Sequence, residues 1–395
     1  MTMFSEVLTA SRLLRGIAAA ALVGLGVSSA TAAPSQLDTA AKEAIIVDYK
    51  TGMVLYDKNA DQPTPPASIT KLMTAYIVFE RLKAGQLKLT DEFPVSVAAW
   101  KRGGAASGGS TMFLKVNSMV NLDDLLKGII IQSGNDACQV VAEGISGSED
   151  AFADLMNETA KKIGLTNSNF RDASGLPDPN HWMTMRDIAT LSAHIIRDFP
   201  EYYHYFADKE FTYNGIKQGN RNPLLYDTPG ADGLKTGHIE AAGYSVAGTV
   251  LRGNRRLIVV ASGMRSLRER AAEIKKLVEW GFREYENISV MAPGTEVEKA
   301  EVWLGDKATV PLVLNSDMTV TVPRGAARQA KVTVQYAGPV PAPIEKGQEI
   351  GKLVVTIPGQ DTIEAPLVAG ESVDRLGFGG RLSAAAHHLL FGSAQ

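Results

Sequence analysis

Cysteine is nearly absent from this chain: Cys138 is the single one in 395 residues. No disulfide can close within it, so the fold must rest on a hydrophobic core. Cys138 lies in Asp136-Ala-Cys-Gln-Val-Val-Ala, a helical apolar run. That setting suits a small core residue better than a reactive thiol. A strong charge of one sign is also missing. The 40 basic and 43 acidic side chains leave a net charge of −3, which argues against a polyanion such as nucleic acid as partner. Histidine numbers only six. His387 and His388 adjoin without other ligands nearby, so neither a metal nor another cofactor is expected. No internal repeat is present, and no apolar run is long enough to span a bilayer comfortably.

What is present divides the chain into four stretches. Arg12 and Arg15 precede a short apolar run, Ile17 to Val27, and the small residues Ser28 to Ala33 come next. A basic start, an apolar centre and an Ala30-x-Ala32 ending read as a secretory signal over 1–33, so an exported, periplasmic location is expected. From 34 to 288 the periodicity mixes helices and antiparallel strands without βαβ alternation, an α+β layout. A hairpin is predicted around Lys50-Thr51-Gly52, and another around Arg252-Gly253-Asn254. Helices are predicted from about Ala67 or Ser68 to Gly85, across 122–131, 136–145 and 149–163, over 185–197, and over 268–285. Met291-Ala-Pro-Gly-Thr reads as a linker, and short alternating strands over 297–372 read as a small all-β sandwich. In 373–395, Leu382, Ala386, Leu389 and Leu390 recur at helical spacing. Periodicity there fits an amphipathic helix on a membrane surface and one packed on the β domain equally well.

Three short patterns carry chemistry. Ser68-Ile-Thr-Lys71 places a hydroxyl and an amine one turn apart at a helix start. Serine is a weak nucleophile and needs a base. Lysine serves only when burial and nearby positive charge depress its pKa. Ser133-Gly134-Asn135 comes after an apolar run and precedes a helix; Ser133 could relay a proton and Asn135 hold an amide. Lys235-Thr236-Gly237, with His238 next, lies in a predicted strand that can present cation and hydroxyl to an anionic substrate end. Gly237 would admit the substrate backbone, and Lys235 would push down the pKa of Lys71. Each pattern alone is weak. Lys50-Thr51-Gly52 precedes the serine and reads as a coincidence.

Taken in order, S-x-x-K, S-x-N and K-T-G resemble the signature of the penicillin-recognising serine enzymes. Asn220-Arg-Asn-Pro-Leu-Leu-Tyr-Asp, Asp232-Gly-Leu-Lys-Thr-Gly-His and Lys275-Lys-Leu-Val-Glu-Trp-Gly-Phe resemble the low-molecular-mass D-alanyl-D-alanine carboxypeptidases in particular. That resemblance implies a transpeptidase/β-lactamase-like domain and a peptidoglycan pentapeptide ending in D-Ala-D-Ala as substrate. It also implies β-lactams as covalent inhibitors. Ser68 would be acylated, Lys71 would take its proton, and Ser133 with Lys235 would protonate the leaving amine. The N–H groups of Ser68 and His238 would form an oxyanion hole. Thr236 and Arg265 would clamp the terminal carboxylate, with Arg221 as an assistant or a surface ion pair. His181 could line the cleft or be structural.

The rivals are a β-lactamase, a D,D-endopeptidase of the same fold and a non-catalytic wall-binding protein. No Glu-x-x-Leu-Asn occurs after Ser133, against a class A β-lactamase. A carboxylate clamp argues against an endopeptidase, and the presence of Ser68, Lys71 and Lys235 argues against an inert scaffold.

Overall fold

The computed structural model describes residues 34–380; the expected leader, 1–33, and the tail 381–395 lie outside the described residues. Five antiparallel strands form the central sheet, in the spatial order Val54–Lys58, Glu43–Asp48, Arg255–Met264, Gly243–Arg252 and Ala231–Ile239. The two predicted hairpins form its turns. Arg252 pairs with Arg255 across a two-residue loop in which Gly253 takes φ +58°, the left-handed backbone that a tight hairpin turn demands.

The sheet is buried on both faces, which explains the unbroken apolar run at Leu257–Ala261. Side chains alternate across a strand. Ile258 and Val260 join the core under the helix Lys71–Lys83, with Ile69, Leu72 and Phe79. Leu257, Val259 and Ala261 face Ile274, Leu277 and Val278 of the helix Leu267–Glu284. Three more helices, Asn135–Ser146, Glu149–Lys162 and Met185–Asp198, also contribute to the first core. The predicted 122–131 helix is interrupted. An α-helix over Leu122–Lys127 widens to a π-helical turn over Gly128–Gln132 and stops at Ser133, with φ +63°. Asn135, two residues past that irregular stop, lines the cleft described below, and single π turns recur at functional sites.

The chain enters the β part earlier than the apparent linker suggests. Tyr285–Met291 is already a strand, paired antiparallel with Met318–Pro323. Beyond it lies a six-stranded sheet, with its own core around Val310, Leu312, Leu353, Val355 and Leu367. Val373 and Arg375 bridge back to Ile344 and Gly305. The start of the 373–395 segment is therefore tied to the β part. Only Phe378–Gly380 are helical among its described residues. No helix among the described residues is long and apolar enough to cross a membrane.

The early Lys50-Thr51-Gly52 turn sits at the opposite edge of the central sheet from the Lys235 strand. There it docks the β part: Lys50 Nζ meets Asp317 at 2.7 Å and Thr51 Oγ1 meets Thr321 Oγ1 at 2.6 Å. Buried Asp48 reinforces the joint by accepting from Arg255 and Asn287.

Candidate active site

Three segments far apart in sequence meet at one cleft of about 790 Å³, which Ser68, Asn135 and His238 all line. Ser68 lies in a 3-10 turn, Ala67–Thr70, whose helical continuation begins at Lys71. Pro66 precedes the turn, and Ala67 holds φ +50°, a costly conformation for a residue with a Cβ. The buried side chains of Ile69, Leu72 and Met73 anchor the turn and the start of the helix in the core.

Lys71 is 1% exposed, and its amine has three neighbours: Ser68 Oγ at 2.9 Å, Asn135 Oδ1 at 2.8 Å and the Ser174 carbonyl at 2.6 Å. Two of these can only accept. A neutral amine would spend its two N–H groups on them and turn its lone pair to the Ser68 hydroxyl. Burial is the main force lowering the Lys71 pKa; Arg221 adds to it, while Cys138, Asp172 and Asp136 pull the other way.

Ser133 is 1% exposed and its hydroxyl has no partner among the described residues. A buried, unsatisfied hydroxyl costs about 1–3 kcal/mol, a cost that an arriving substrate atom can relieve. Asn135 opens the helix Asn135–Ser146 and gives its carbonyl to Lys71. Its neighbour Asp136, fully buried, stitches down the cleft wall by accepting from Thr111 Oγ1, Met112 N and Leu114 N.

Lys235, Thr236, Gly237 and His238 lie on Ala231–Ile239, the edge strand of the central sheet. Lys235 is 3% exposed, and among the described residues its amine makes one long hydrogen bond, 3.3 Å, to the Thr236 carbonyl. Its pKa is lowered well below the ordinary lysine value, first by burial and then by Lys71 and Arg221. Burial dominates at both amines, and the two repel each other. The reason expected for Gly237 is also corrected. A Cβ there would stand 2.8 Å from the Pro66 carbonyl and 2.6 Å from Ser245 Oγ. Gly237 lets the strand close on the Ser68 turn; the close approach is to the protein's own backbone. His238 is exposed at the cleft and stacks on Tyr244, centroids 3.9 Å apart.

Arg265 does not belong to this constellation. The sequence suggests that it ends a strand beside the Lys235 strand, but Gly243–Arg252 lies between the two. The side chain of Arg265 is 87% exposed and folds onto Glu269, one turn along the next helix, at 2.8 Å. Arg221 is the arginine that the structure does bring to the cleft. It lines the cleft, donates to Ser110 Oγ, and has no carboxylate partner among the described residues. Although open to the cleft, its guanidinium is pushed down by burial. Behind it, Arg270 donates to the Arg221 carbonyl at 3.1 Å and lies over the Tyr244 ring at 5.7 Å. Burial lowers Arg270 to about 10.

Sequence patterns missed Ser174, Asp136 and Arg270. Ser174 contributes a backbone carbonyl, which carries no residue-type signal. Asp136 and Arg270 sit inside helices, where a buried charge looks like any surface charge until the fold is known. His181, which the sequence leaves open between cleft and structure, is 2% exposed and bonded to Asp172 and Thr70.

Comparison with known proteins agrees with this arrangement. Residues 29–266 match the family model described as D-alanyl-D-alanine carboxypeptidase, and residues 285–375 match that of the penicillin-binding protein 5 C-terminal domain. The D-alanyl-D-alanine carboxypeptidase DacC of Escherichia coli is 41% identical over 379 residues, covering 94% of this chain and 95% of the relative. The structure of penicillin-binding protein 5 from Haemophilus influenzae superposes with a TM-score of 0.80 at 39% identity, covering 86% of this chain and 99% of that one. Penicillin-binding protein D2 of Listeria monocytogenes, solved with ampicillin bound, is 30% identical over 62% of this chain and 99% of its own, with a TM-score of 0.54. With matches running through both parts, the chain belongs to the serine D-alanyl-D-alanine carboxypeptidase family of penicillin-binding proteins.

Proposed function

We propose that this enzyme removes the terminal D-alanine from peptidoglycan stem pentapeptides through an acyl-enzyme on Ser68. The observation that carries the reading is the Lys71 amine, buried and wedged between Ser68 Oγ, Asn135 Oδ1 and the Ser174 carbonyl. The free edge of the Lys235 strand offers an extended peptide a row of backbone groups to pair with. Thr236 and Arg221 hold the terminal carboxylate. Ser68 Oγ attacks the carbonyl between the two D-alanines as its proton passes to Lys71. The N–H groups of Ser68 and His238 receive the oxyanion, and Lys235 holds the site positive as that charge forms. The tetrahedral intermediate collapses by breaking the C–N bond. Ser133, its hydroxyl otherwise unpartnered, passes the proton to the departing amine. Water then attacks the ester, its proton returns through Lys71, and Ser68 is restored. A β-lactam would acylate the same oxygen, but its amine stays tethered.

The unpaired Arg221 favours a carboxypeptidase over an endopeptidase, whose substrate has no free carboxylate at the cut. Arg221→Ala is expected to lower kcat/KM for the carboxylate-bearing peptide by about 30-fold, the scale of one charge-assisted hydrogen bond. A D-alanine-amide analogue should lose far less. Arg265→Ala should stay within about twofold for both, as suits an exposed ion pair. Equal losses on peptide and amide in Arg221→Ala would remove it from the clamp.

The reading includes export directed by residues 1–33 and peripheral contact of the 373–395 segment with the outer face of the inner membrane. Fractionation of cells expressing the full chain and one ending at residue 376 checks this. The full chain should partition with membranes and the shorter one with the periplasm; identical partitioning would remove the membrane contact.

A further inference from the structure

We propose that Asp172 and His181 form a positioning pair that holds the Lys71 amine in line with Ser68. The pair lies under the floor of the cleft and takes no part in the bond-making and bond-breaking at Ser68. Asp172 is 3% exposed and His181 2% exposed. One carboxylate oxygen of Asp172 accepts from Ser174 N and Gly175 N, both at 2.7 Å, and from Ser174 Oγ at 2.9 Å. These bonds shape the turn whose Ser174 carbonyl receives Lys71 Nζ at 2.6 Å. The other oxygen meets His181 Nδ1 at 3.2 Å, and His181 Nε2 meets Thr70 Oγ1 at 3.0 Å. With Asp172 ionised, Nδ1 carries the proton and Nε2 accepts from the Thr70 hydroxyl. Thr70 is the residue before Lys71. The loop of hydrogen bonds therefore closes on both sides of the base, through its backbone neighbour and through its amine.

The turn also lies flush on the nucleophile. Gly175 has φ +84°, and a Cβ there would stand 1.8 Å from the Ala67 carbonyl and 2.7 Å from Thr70 Oγ1. Thr74 Oγ1 adds a further tie, to the Ala173 carbonyl at 2.6 Å. One buried carboxylate thus fixes a carbonyl, a hydroxyl and a turn around the same lysine. Burial alone would raise the Asp172 pKa, but His181 and the Ser174 donors outweigh it and hold the carboxyl well below its usual range. Its negative charge acts on Lys71 together with Cys138 and Asp136 from the Asn135–Ser146 helix, Arg221 across the cleft, and Lys235 on the edge strand.

The test is the pH profile of acylation by a fluorescent penicillin in the full enzyme, with thermal melts as a folding check. Asp172→Asn keeps an acceptor oxygen and the side-chain size but removes the charge. Its acylation rate at neutral pH should fall by about 10-fold to 30-fold. Its acid limb should move to lower pH, because Lys71 loses a neighbour that favours the protonated amine. His181→Leu strips the carboxylate of its N–H donor and leaves the charge less shielded, so its limb should move to higher pH. That variant also decides the matter if Asp172→Asn does not fold. Limbs that stay at the wild-type position, whatever the rate, would reduce the pair to a structural one and overturn the inference. The inference rests on Lys71 as base. Normal acylation by Lys71→Met would overturn that reading by itself, whereas an inactive Lys71→Met beside unmoved limbs would overturn only the pair.

Discussion

Ser68→Ala is expected to lose D-alanine release by on the order of 10⁴-fold or more, and to lose covalent penicillin labelling entirely. The change removes one oxygen from a turn that is otherwise held by Pro66, Ile69 and the Gly237 contact, so the fold should remain. Substrate binding should survive as well, because Arg221, Thr236 and the free strand edge do not depend on that oxygen. The signature is thus a folded protein that still binds a D-Ala-D-Ala peptide but turns nothing over. D-alanine detection on a pentapeptide, alongside in-gel fluorescence, reads both. Residual labelling of the variant would move the nucleophile elsewhere.

The second large effect is expected at Lys71. Lys71→Met should lower the second-order rate of acylation by about 10³-fold, within the range of a lost general base. The same variant tests the electrostatics. The folded pKa of Lys71 lies below the unfolded value of 10.5. Between the two values the unfolded chain binds a proton that the folded chain does not, so wild-type stability should rise with pH through that window. Below the lowered value both states are protonated, and the folded state carries the burial penalty in full. Methionine has no such penalty. Lys71→Met should therefore melt higher than wild type at neutral pH, and the gap should narrow as pH approaches 10. Thermal melts from pH 6 to 10 check the sign; a gap that widens with pH would contradict a depressed amine.

The α+β class, both hairpins and the β part were legible in the sequence because period-2 and period-3.6 patterns are local. The three chemical patterns were legible because each needs particular side chains at fixed spacing. Arg265 failed for a topological reason: sequence shows that two strands form a hairpin, but not which flank the third strand takes. The clamp was therefore sought one strand away from the cleft. In the sequence Gly237 reads as making room for substrate, while the space a Cβ would take is occupied by Pro66 and Ala67. The turn at Asp172–Gly175 was invisible because its contribution is a backbone carbonyl and the bonds that hold it. At 122–131 the helical period conceals a π turn, and that irregularity lies just before Asn135, which lines the cleft.

The most direct measurement is to map the acyl group. Wild-type enzyme trapped with a penicillin, digested with trypsin and read by mass spectrometry places the adduct on one peptide. The candidate hydroxyls fall on separate peptides: Ser68 and Ser110, which line the cleft, on 59–71 and 103–115, and buried Ser133 on 128–161. One adduct on Asn59–Lys71, fragmenting to Ser68, is the expected result. An adduct on either other peptide, or none with the protein folded, would contradict an active centre in which buried Lys71 activates Ser68.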